Sequence, residues 1–440
     1  MSKLNAWKFA LAAMLVLSSL LVAQAPRPTT APKAEKTKPI TSAEVAKLTQ
    51  EILQQVSDIR GLKLLAPVKS GAQSRAQIEQ VVIKNFEEET TPAELDAEFK
   101  TLVAFGLVPK HFQYREFLTK LLTEQIAGFY DPKKKEFFLA DWNPLELQRP
   151  VMAHELTHAL QDQHFDLKRF ENWPDGDGDR EMAIHALIEG DATALMIDYL
   201  MKPLGQNVTK IPKSLLEQMN SDNKGPGMEV INAAPNAIRE SLLFPYASGL
   251  GFAYDLLKAQ GWDGVSKAYQ NLPQSTEQIL HPAKYLNNEM PIKIELADVS
   301  GVLGKGWQRL TFDVNGEFGY YLLLAEFLDK TVARKAAEGW GGDQFALYEN
   351  AAKTRTTVVH VSRWDSSSDA SKFFEAYVAR TDKRLPNAKV NKTAQQIVYT
   401  TPTGETLLAL RGDAVVAVEG AAIATARKLA AQLWESKGIR

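Results

Sequence analysis

Cysteine is absent from the 440 residues of this chain. Without thiols there are no disulfides, thiolate zinc knuckles, iron–sulfur clusters or cysteine nucleophiles. A metal ion would therefore have to be held by histidine, aspartate or glutamate. An excess of positive charge is also absent, since 51 lysines and arginines stand against 53 acidic residues and the net charge is −2. The composition thus argues against nucleic acid as a partner, because such partners need a basic surface.

The composition is that of a folded protein, with 45% apolar and 24% charged residues. At about 150 residues per domain, the length favours two or three domains. We expect a signal peptide at 1–25, a flexible linker at 26–40, a helix-rich domain at 41–300 and a carboxy-terminal α/β domain at 301–440. In the last of these, period-two patterns predict strands at 356–362, 395–399, 406–410 and 415–418, with one helix after the first strand and another at the end.

The amino terminus predicts export. Lys3 and Lys8 precede an apolar run at 9–22, and Ala23-Gln24-Ala25 has the small-x-small pattern of a signal peptidase site. The run is shorter than the roughly 20 residues that span a bilayer, which favours a cleaved signal. Pro26 disfavours cleavage directly before it and keeps a retained anchor open. The expected location is the bacterial periplasm or the exterior, with membrane contact only through an uncleaved amino-terminal segment.

Residues 150–164 carry a metal-binding pattern. They read PVMAHELTHALQDQH, and Pro150 is expected to open the helix. His154 and His158 are four residues apart, which places both imidazoles on one helix face within reach of a single ion. Glu155 is turned about 100° away, so it reaches a water on that ion without ligating it. The flanking residues are apolar, and a buried helix with unpaired imidazoles would be costly. The pattern predicts a Zn²⁺ site.

A catalytic zinc ion needs a third protein ligand. The next predicted helix, residues 180–201, contains ALIEGDA. Glu189 is the first choice because its neighbours are apolar and the small Gly190 allows close helix packing. His185 lies one turn earlier on the same face and is either a rival ligand or a residue that orients the ligands. Asp191 ranks last, because two helical residues turn it away by about 200°.

HELTH followed by a helical ALIEGDA resembles the gluzincin metallopeptidases, the thermolysin-like and aminopeptidase-like zinc enzymes. The chain as a whole looks like an uncharacterised bacterial family of predicted metallopeptidases. The resemblance implies His154, His158 and Glu189 as zinc ligands and Glu155 as general base. Two features depart from the pattern: the gap before Glu189 is longer, and Thr193 stands where thermolysin-like enzymes have an aspartate. The residue that orients the histidines is therefore open.

The resemblance also implies residues that stabilise an oxyanion. Pro245-Tyr246-Ala247-Ser248-Gly249 is similar to the Pro-Tyr-x-x-Gly helix start of gluzincin aminopeptidases, which makes Tyr246 the first candidate. His281 is a weaker candidate, by analogy with a downstream histidine of thermolysin-like enzymes, and a structural role for it is equally open. Residues 135–140 (KEFFLA) are a candidate edge strand onto which a substrate peptide would add.

These features predict an α+β fold: a mostly helical zincin-like catalytic domain with a small edge sheet, and a small carboxy-terminal α/β sandwich domain. The predicted function is an exported zinc metallopeptidase acting on peptides or proteins. Nothing before His154 resembles the Gly-x-Met-Glu-Asn segment of gluzincin aminopeptidases, so an endopeptidase is favoured. The alternative is a non-catalytic exported zinc-binding or scaffold protein that acts through 301–440, against which the retained Glu155 argues. The sequence leaves the oligomeric state open.

Overall fold

A computed structural model of the chain describes residues 40–124, 128–170, 176–216, 229–393 and 395–439. The predicted signal peptide at 1–25 and the predicted linker up to residue 39 lie outside the described residues. Across the described ranges, no helix combines the length and the apolar character needed to cross a membrane.

The fold is α+β, as predicted. Helices dominate the first part of the chain: α1 (Ser42–Arg60), α2 (Arg75–Glu89), α3 (Pro92–Phe105), α4 (Tyr114–Glu124), α5 (Leu145–Phe165), α6 (Gly178–Met201), α7 (Glu229–Ala233), α8 (Asn236–Ala268), α9 (Thr276–Leu280) and α10 (Pro282–Leu286). The later helices are α11 (Ser300–Leu303), α12 (Gly316–Ala325), α13 (Lys330–Ala337), α14 (Ser367–Arg384) and α15 (Ala426–Leu433). Single 3₁₀ turns follow α5 and α6 at Leu167–Phe170, Lys202–Leu204 and Val208–Lys210.

The strands form two sheets. The small sheet contains β1 (Lys69–Gln73), β2 (Gly128–Asp131) and β3 (Glu136–Ala140). The large sheet contains β4 (Trp307–Asp313), β5 (Trp340–Asn350), β6 (Thr356–Trp364), β7 (Lys389–Lys392), β8 (Gln396–Thr401), β9 (Gly404–Arg411) and β10 (Ala414–Ala421).

The helix with the histidine motif begins earlier than the sequence predicts. We expected α5 to open at Pro150, but it starts at Leu145, and Pro150 lies inside it. Proline lacks an N–H and removes one intrahelical hydrogen bond, which normally ends a helix. Here the extra first turn is anchored by the Gln148 amide, which donates to the carbonyls of Ala140 at 3.2 Å and Asn143 at 2.8 Å.

The order of the small sheet is β1-β3-β2, so β3 is its central strand. The expectation that 135–140 form an edge open to a substrate is therefore wrong. β3 pairs in parallel with β1 and antiparallel with β2, and both of its hydrogen-bonding edges are used. The sequence reading missed β1 because its residues, KSGAQ, have no β-branched or aromatic side chain that marks a strand.

The large sheet is antiparallel, in the order β4-β5-β6-β10-β9-β8-β7. The four predicted strands, the helix after the first of them and the final helix are all present. The prediction missed β4, β5 and β7. In β5 the signal is hidden by Gly341 and Gly342, residues that ordinarily punctuate a strand.

One apolar core joins the helices to the large sheet. Leu187 of α6 and Phe252 of α8 belong to the same buried cluster as Leu323 of α12, Phe345 of β5 and Val415 of β10. Packing therefore crosses residue 300, the boundary predicted between the two domains.

Candidate metal centre

The middle of the motif helix α5 is buried on all sides, as its apolar flanks predict. It packs against α1 and α6, and every residue from 151 to 162 is buried. His154 is 0% and His158 6% exposed. Their rings meet edge to face, with centroids 4.8 Å apart. The one-turn spacing thus brings both imidazoles to the same point inside the protein.

Helix α6 brings Glu189 to these imidazoles. Oε2 of Glu189 lies 3.0 Å from Nε2 of His154 and 3.7 Å from Nε2 of His158, and the two nitrogens are 3.1 Å apart. Zinc bonds of about 2.0–2.1 Å in tetrahedral geometry require ligand atoms about 3.3 Å apart. The three atoms therefore have the spacing and chemistry of a zinc ligand set, and their distances would suit a small divalent cation.

The charges of His158 and Glu189 depend on one another. Burial alone would lower the pKa of His158, but the nearby charge of Glu189, its hydrogen bond and the charge of Glu155 outweigh this and raise it. Burial would raise the pKa of Glu189, but the two histidines outweigh this and lower it. Glu189 is therefore held as a carboxylate, the form that ligates a metal ion.

The partner that orients His158 is Gln161, which the sequence reading did not find. Nδ1 of His158 lies 2.8 Å from Oε1 of Gln161, which leaves Nε2 directed at Glu189. The Gln161 amide is fixed in turn by the Ile188 carbonyl and by Asp191, each at 3.0 Å. Gln161 is followed by the polar residues Asp162, Gln163 and His164, so no local pattern in the sequence singled it out.

Asp191 takes no part in the ligand set. Its carboxylate pairs with buried Arg60 at 2.7 Å and accepts from the hydroxyl of Tyr269 at 2.9 Å. This pairing stabilises a buried charge and fixes the far end of Gln161. Thr193 is buried, and its hydroxyl has no hydrogen-bond partner among the described residues.

The proposed general base is held by the small sheet. Oε2 of Glu155 accepts a hydrogen bond from the backbone N–H of Tyr130 in β2 at 3.1 Å. The Tyr130 hydroxyl donates to Asp162 of α5 at 2.9 Å, so this residue braces the strand against the motif helix. Glu155 itself is 1% exposed. The strand next to the motif helix therefore sets the orientation of the Glu155 carboxylate.

Tyr246 lies beside the three candidate ligands. Its ring stacks on His154 with centroids 6.1 Å apart. Burial, the charges of Glu189 and Glu155, and a hydrogen bond with Glu189 raise the pKa of Tyr246 well above its usual value. The tyrosine thus keeps its proton and can donate it in a hydrogen bond. It lies inside α8 and not at a helix start, since the helix begins at Asn236.

The close approach of α6 and α8 depends on two glycines. A Cβ at Gly190 would lie 2.1 Å from the carbonyl oxygen of Gly249, and a Cβ at Gly249 would lie 2.1 Å from the carbonyl oxygen of Ala186. With no side chain at either position, the two backbones touch. Tyr246, one turn before Gly249, is thereby brought to Glu189, the residue before Gly190.

His281 and His185 are placed differently from the candidate ligands. The partly exposed His281 pairs with Glu317 of α12 at 2.8 Å, and it does not line the cavity beside Glu189. His185 does line that cavity. It is 1% exposed, neither ring nitrogen has a hydrogen-bond partner among the described residues, and burial lowers its pKa to about 4. His185 is therefore a neutral imidazole.

The cavity beside Glu189 and Tyr246 has a volume of about 140 Å³ and is mostly apolar. A second acidic group, formed by Glu277, Glu289 and Asp365, has spacing that would also suit a cation. The ammonium of Lys284 lies 2.6–2.7 Å from a carboxylate oxygen of each of these residues and offsets part of their negative charge. This second group is therefore an ion-pair cluster.

Residues 307–430 match a family described as Domain of unknown function (DUF8575). The match covers the large sheet and does not reach His154, His158 or Glu189. Searches of the curated proteins and of the solved structures found no match to this chain.

Proposed function

We propose that this protein is an exported zinc metallopeptidase of the gluzincin type that acts as an endopeptidase on peptides or proteins. The observation that carries the proposal is the convergence of Nε2 of His154, Nε2 of His158 and Oε2 of Glu189 at 3.0–3.7 Å inside the protein. Two imidazoles and a carboxylate are the ligand set of thermolysin-like zinc sites. Glu155 and Tyr246, at the same place, add a proton acceptor and a hydrogen-bond donor.

Zinc bound by these three ligands would supply a Lewis acid that polarises the scissile carbonyl and makes a water acidic near neutral pH. Glu155 takes the proton of the attacking water on its carboxylate and passes it to the leaving amine nitrogen. The Tyr130 N–H holds this carboxylate in one orientation. The water oxygen bonds to the carbonyl carbon, and the carbon–nitrogen bond then breaks.

Negative charge develops on the carbonyl oxygen during this reaction, and a donor fixed in advance stabilises it. Tyr246 is suited to this role because its raised pKa keeps the hydroxyl protonated and because its ring is fixed against His154. His281 is a poorer candidate, since it pairs with Glu317 and does not line the cavity beside Glu189.

A Glu155→Gln variant tests the proposal. Glutamine keeps the size of the side chain and the acceptor for Tyr130 N–H but cannot take a proton. We expect zinc content, measured by elemental analysis, to be unchanged and hydrolysis of a mixed peptide pool to fall about 10²–10⁴-fold. Glu146→Gln, in the exposed first turn of the same helix, is the matched control and should keep full activity.

The same assay separates the enzyme from the alternative, a non-catalytic zinc-binding or scaffold protein. If the unaltered protein holds one zinc ion but cleaves nothing in the pool, the peptidase proposal is wrong and the scaffold is favoured. If it holds no zinc at neutral pH, the peptidase proposal is wrong and a scaffold that keeps only the fold is favoured.

A further inference from the structure

The cavity beside Glu189 is built by both parts of the chain. Its apolar walls come from α3, α4 and α8 on one side and from α12 and β5 on the other: Leu102, Leu118, Leu242, Leu322, Leu323 and Phe345. Glu189 and Tyr246 line it as well. A group bound in this cavity would therefore lie beside a proposed zinc ligand and the proposed hydrogen-bond donor.

The size of the cavity fits one aromatic ring. Its volume is about 140 Å³. An apolar cavity of about 150 Å³ lined by leucine, isoleucine and phenylalanine binds benzene in another protein. None of the described residues that line the cavity is lysine or arginine, so an acidic side chain would find no counter-charge there.

His185 places a polar imidazole on the mostly apolar wall of the cavity. His360, a histidine outside the candidate site, is fully buried too, and its two nitrogens are bonded to the hydroxyls of Tyr320 at 3.1 Å and Tyr377 at 3.2 Å. His185 is buried as deeply, yet neither of its nitrogens has such a partner among the described residues. A buried polar group without a hydrogen bond is costly, so this imidazole is suited to bond a ligand.

Besides Glu189, the cavity wall carries two carboxyl groups, those of Glu98 and Asp313, and both are already bonded. Glu98 accepts from the hydroxyl of Tyr114 at 2.6 Å. Asp313 accepts from the backbone N–H groups of Gly178 at 2.7 Å and Val314 at 2.9 Å. These acids are therefore less available to a ligand than His185 is.

We infer that the cavity binds the side chain of a substrate tyrosine next to the scissile bond, with the ring between the apolar walls and the hydroxyl hydrogen-bonded to His185. The substrate part of this inference rests on the proposed function, while the recognition of a phenol ring rests on the cavity alone. The carboxy-terminal region, through α12 and β5, thereby takes part in substrate selection.

Binding of two small probes tests the cavity without any peptide. p-Cresol has the side chain of tyrosine, and toluene that of phenylalanine. We expect calorimetric titration of the full chain to give p-cresol an affinity at least about tenfold higher than that of toluene, since a site with a buried polar group disfavours the analogue that lacks the hydroxyl. Toluene binding as tightly as p-cresol, or no binding of either, would overturn the inference.

Four variants of the full chain test which residues cause the preference for p-cresol over toluene. His185→Leu should remove the preference for p-cresol, and His185→Gln, which keeps a hydrogen-bonding amide, should restore part of it. Leu323→Trp should fill the cavity and abolish binding of both probes. His164→Leu changes a histidine of α5 that bonds to the carbonyl of Lys63, and it should change neither affinity. Thermal unfolding and zinc content confirm that each variant is folded. A preference that survives in His185→Leu would contradict the role of His185.

A peptide pair separates this inference from the proposed function. Two peptides that differ only by tyrosine or phenylalanine should be cleaved with kcat/KM values at least about tenfold apart, in favour of tyrosine. Binding of p-cresol without any hydrolysis would support the cavity and contradict the peptidase. Hydrolysis without a preference for tyrosine and without p-cresol binding would contradict only the present inference.

Discussion

Among single residues, Gln161 has the most direct influence on the proposed ligands without being one of them. It accepts from Nδ1 of His158 and is itself held by Ile188 and Asp191. Such a partner fixes the ring and the tautomer of a ligating histidine, and its loss typically costs 10–100-fold in metal affinity. We therefore expect Gln161→Leu to weaken zinc binding by about 10–100-fold, as measured by competition with a chromophoric chelator.

Gln163→Leu is the matched control for this prediction. It changes a glutamine of the same helix whose side chain bonds to the backbone of Leu65 and Ala66 near the surface. Its zinc affinity should equal that of the unaltered protein. Equal affinities in both variants would mean that Gln161 does not orient His158.

The spacing of His154 and His158 was enough to predict that they share one helix face, and the apolar surroundings of Glu189 singled it out. Both inferences need only helix geometry and the cost of a buried charge. The role of Gln161 was not predicted, because it depends on contacts with Asp191 and Ile188. These two residues belong to another helix, and no local sequence pattern shows that they lie near Gln161. His185 was seen as a neighbour of the ligands, but its place in a cavity depends on the large sheet.

At the scale of elements, the contact between α6 and α8 is the part of the site that tolerates least change. Gly249→Ala would place a Cβ 2.1 Å from the Ala186 carbonyl oxygen, and rigid backbone on both sides has to move. Overpacking of this kind costs about 1–3 kcal/mol. We expect a loss of this size in the free energy of unfolding.

Gly251→Ala is the control in the same helix. The nearest atom to its new Cβ would be Lys213 Cε at 3.7 Å, an ordinary contact. Alanine favours a helix over glycine by up to about 1 kcal/mol, so this variant should be as stable as the unaltered protein or more so. Denaturant unfolding measures both variants, and equal stability of the two alanine variants would contradict the close backbone contact.

Helices and strands were predicted well where a single periodic pattern dominates the sequence. They were predicted poorly where contacts with other segments determine the position or the bounds of an element. The strand at 356–362 and the hairpin after it follow from alternation alone. The placement of β3 at the sheet centre follows from β1, whose polar sequence carries no strand signal. Likewise α5 continues before Pro150 because Gln148 bonds to two carbonyls of the preceding segment.

Over the whole molecule, the carboxy-terminal region is joined to the helices by buried polar contacts as well as by the shared core. The guanidinium groups of Arg380 and Arg384 on α14 donate to the carbonyls of Phe105 and Ala104 at the end of α3. The same two arginines pair with buried Glu419 of β10. Since α3 also lines the cavity, a change in how the large sheet packs would reach the proposed active site.

The contact between Asp313 of β4 and the first turn of α6 makes stability depend on pH. Asp313 accepts from the backbone N–H of Gly178, and burial raises its pKa to about 7 against backbone hydrogen bonds that lower it. Its ordinary value is about 3.9. Between these values the folded protein holds a proton that the unfolded chain releases. The stability that this group contributes is therefore fully present below about pH 4 and is lost as the pH rises through about 7.

Asp313→Asn keeps an oxygen to accept from Gly178 but cannot ionise. Between about pH 4 and 7, we expect its unfolding free energy to fall less steeply with pH than that of the unaltered protein, by up to about 1.4 kcal/mol per pH unit. The measurement is denaturant unfolding across this range, with Asp96→Asn, on the exposed face of α3, as the control with an unchanged slope. Parallel curves for Asp313→Asn and the unaltered protein would show that this carboxyl is ionised in the folded state. The contact between β4 and α6 would then not respond to pH through Asp313.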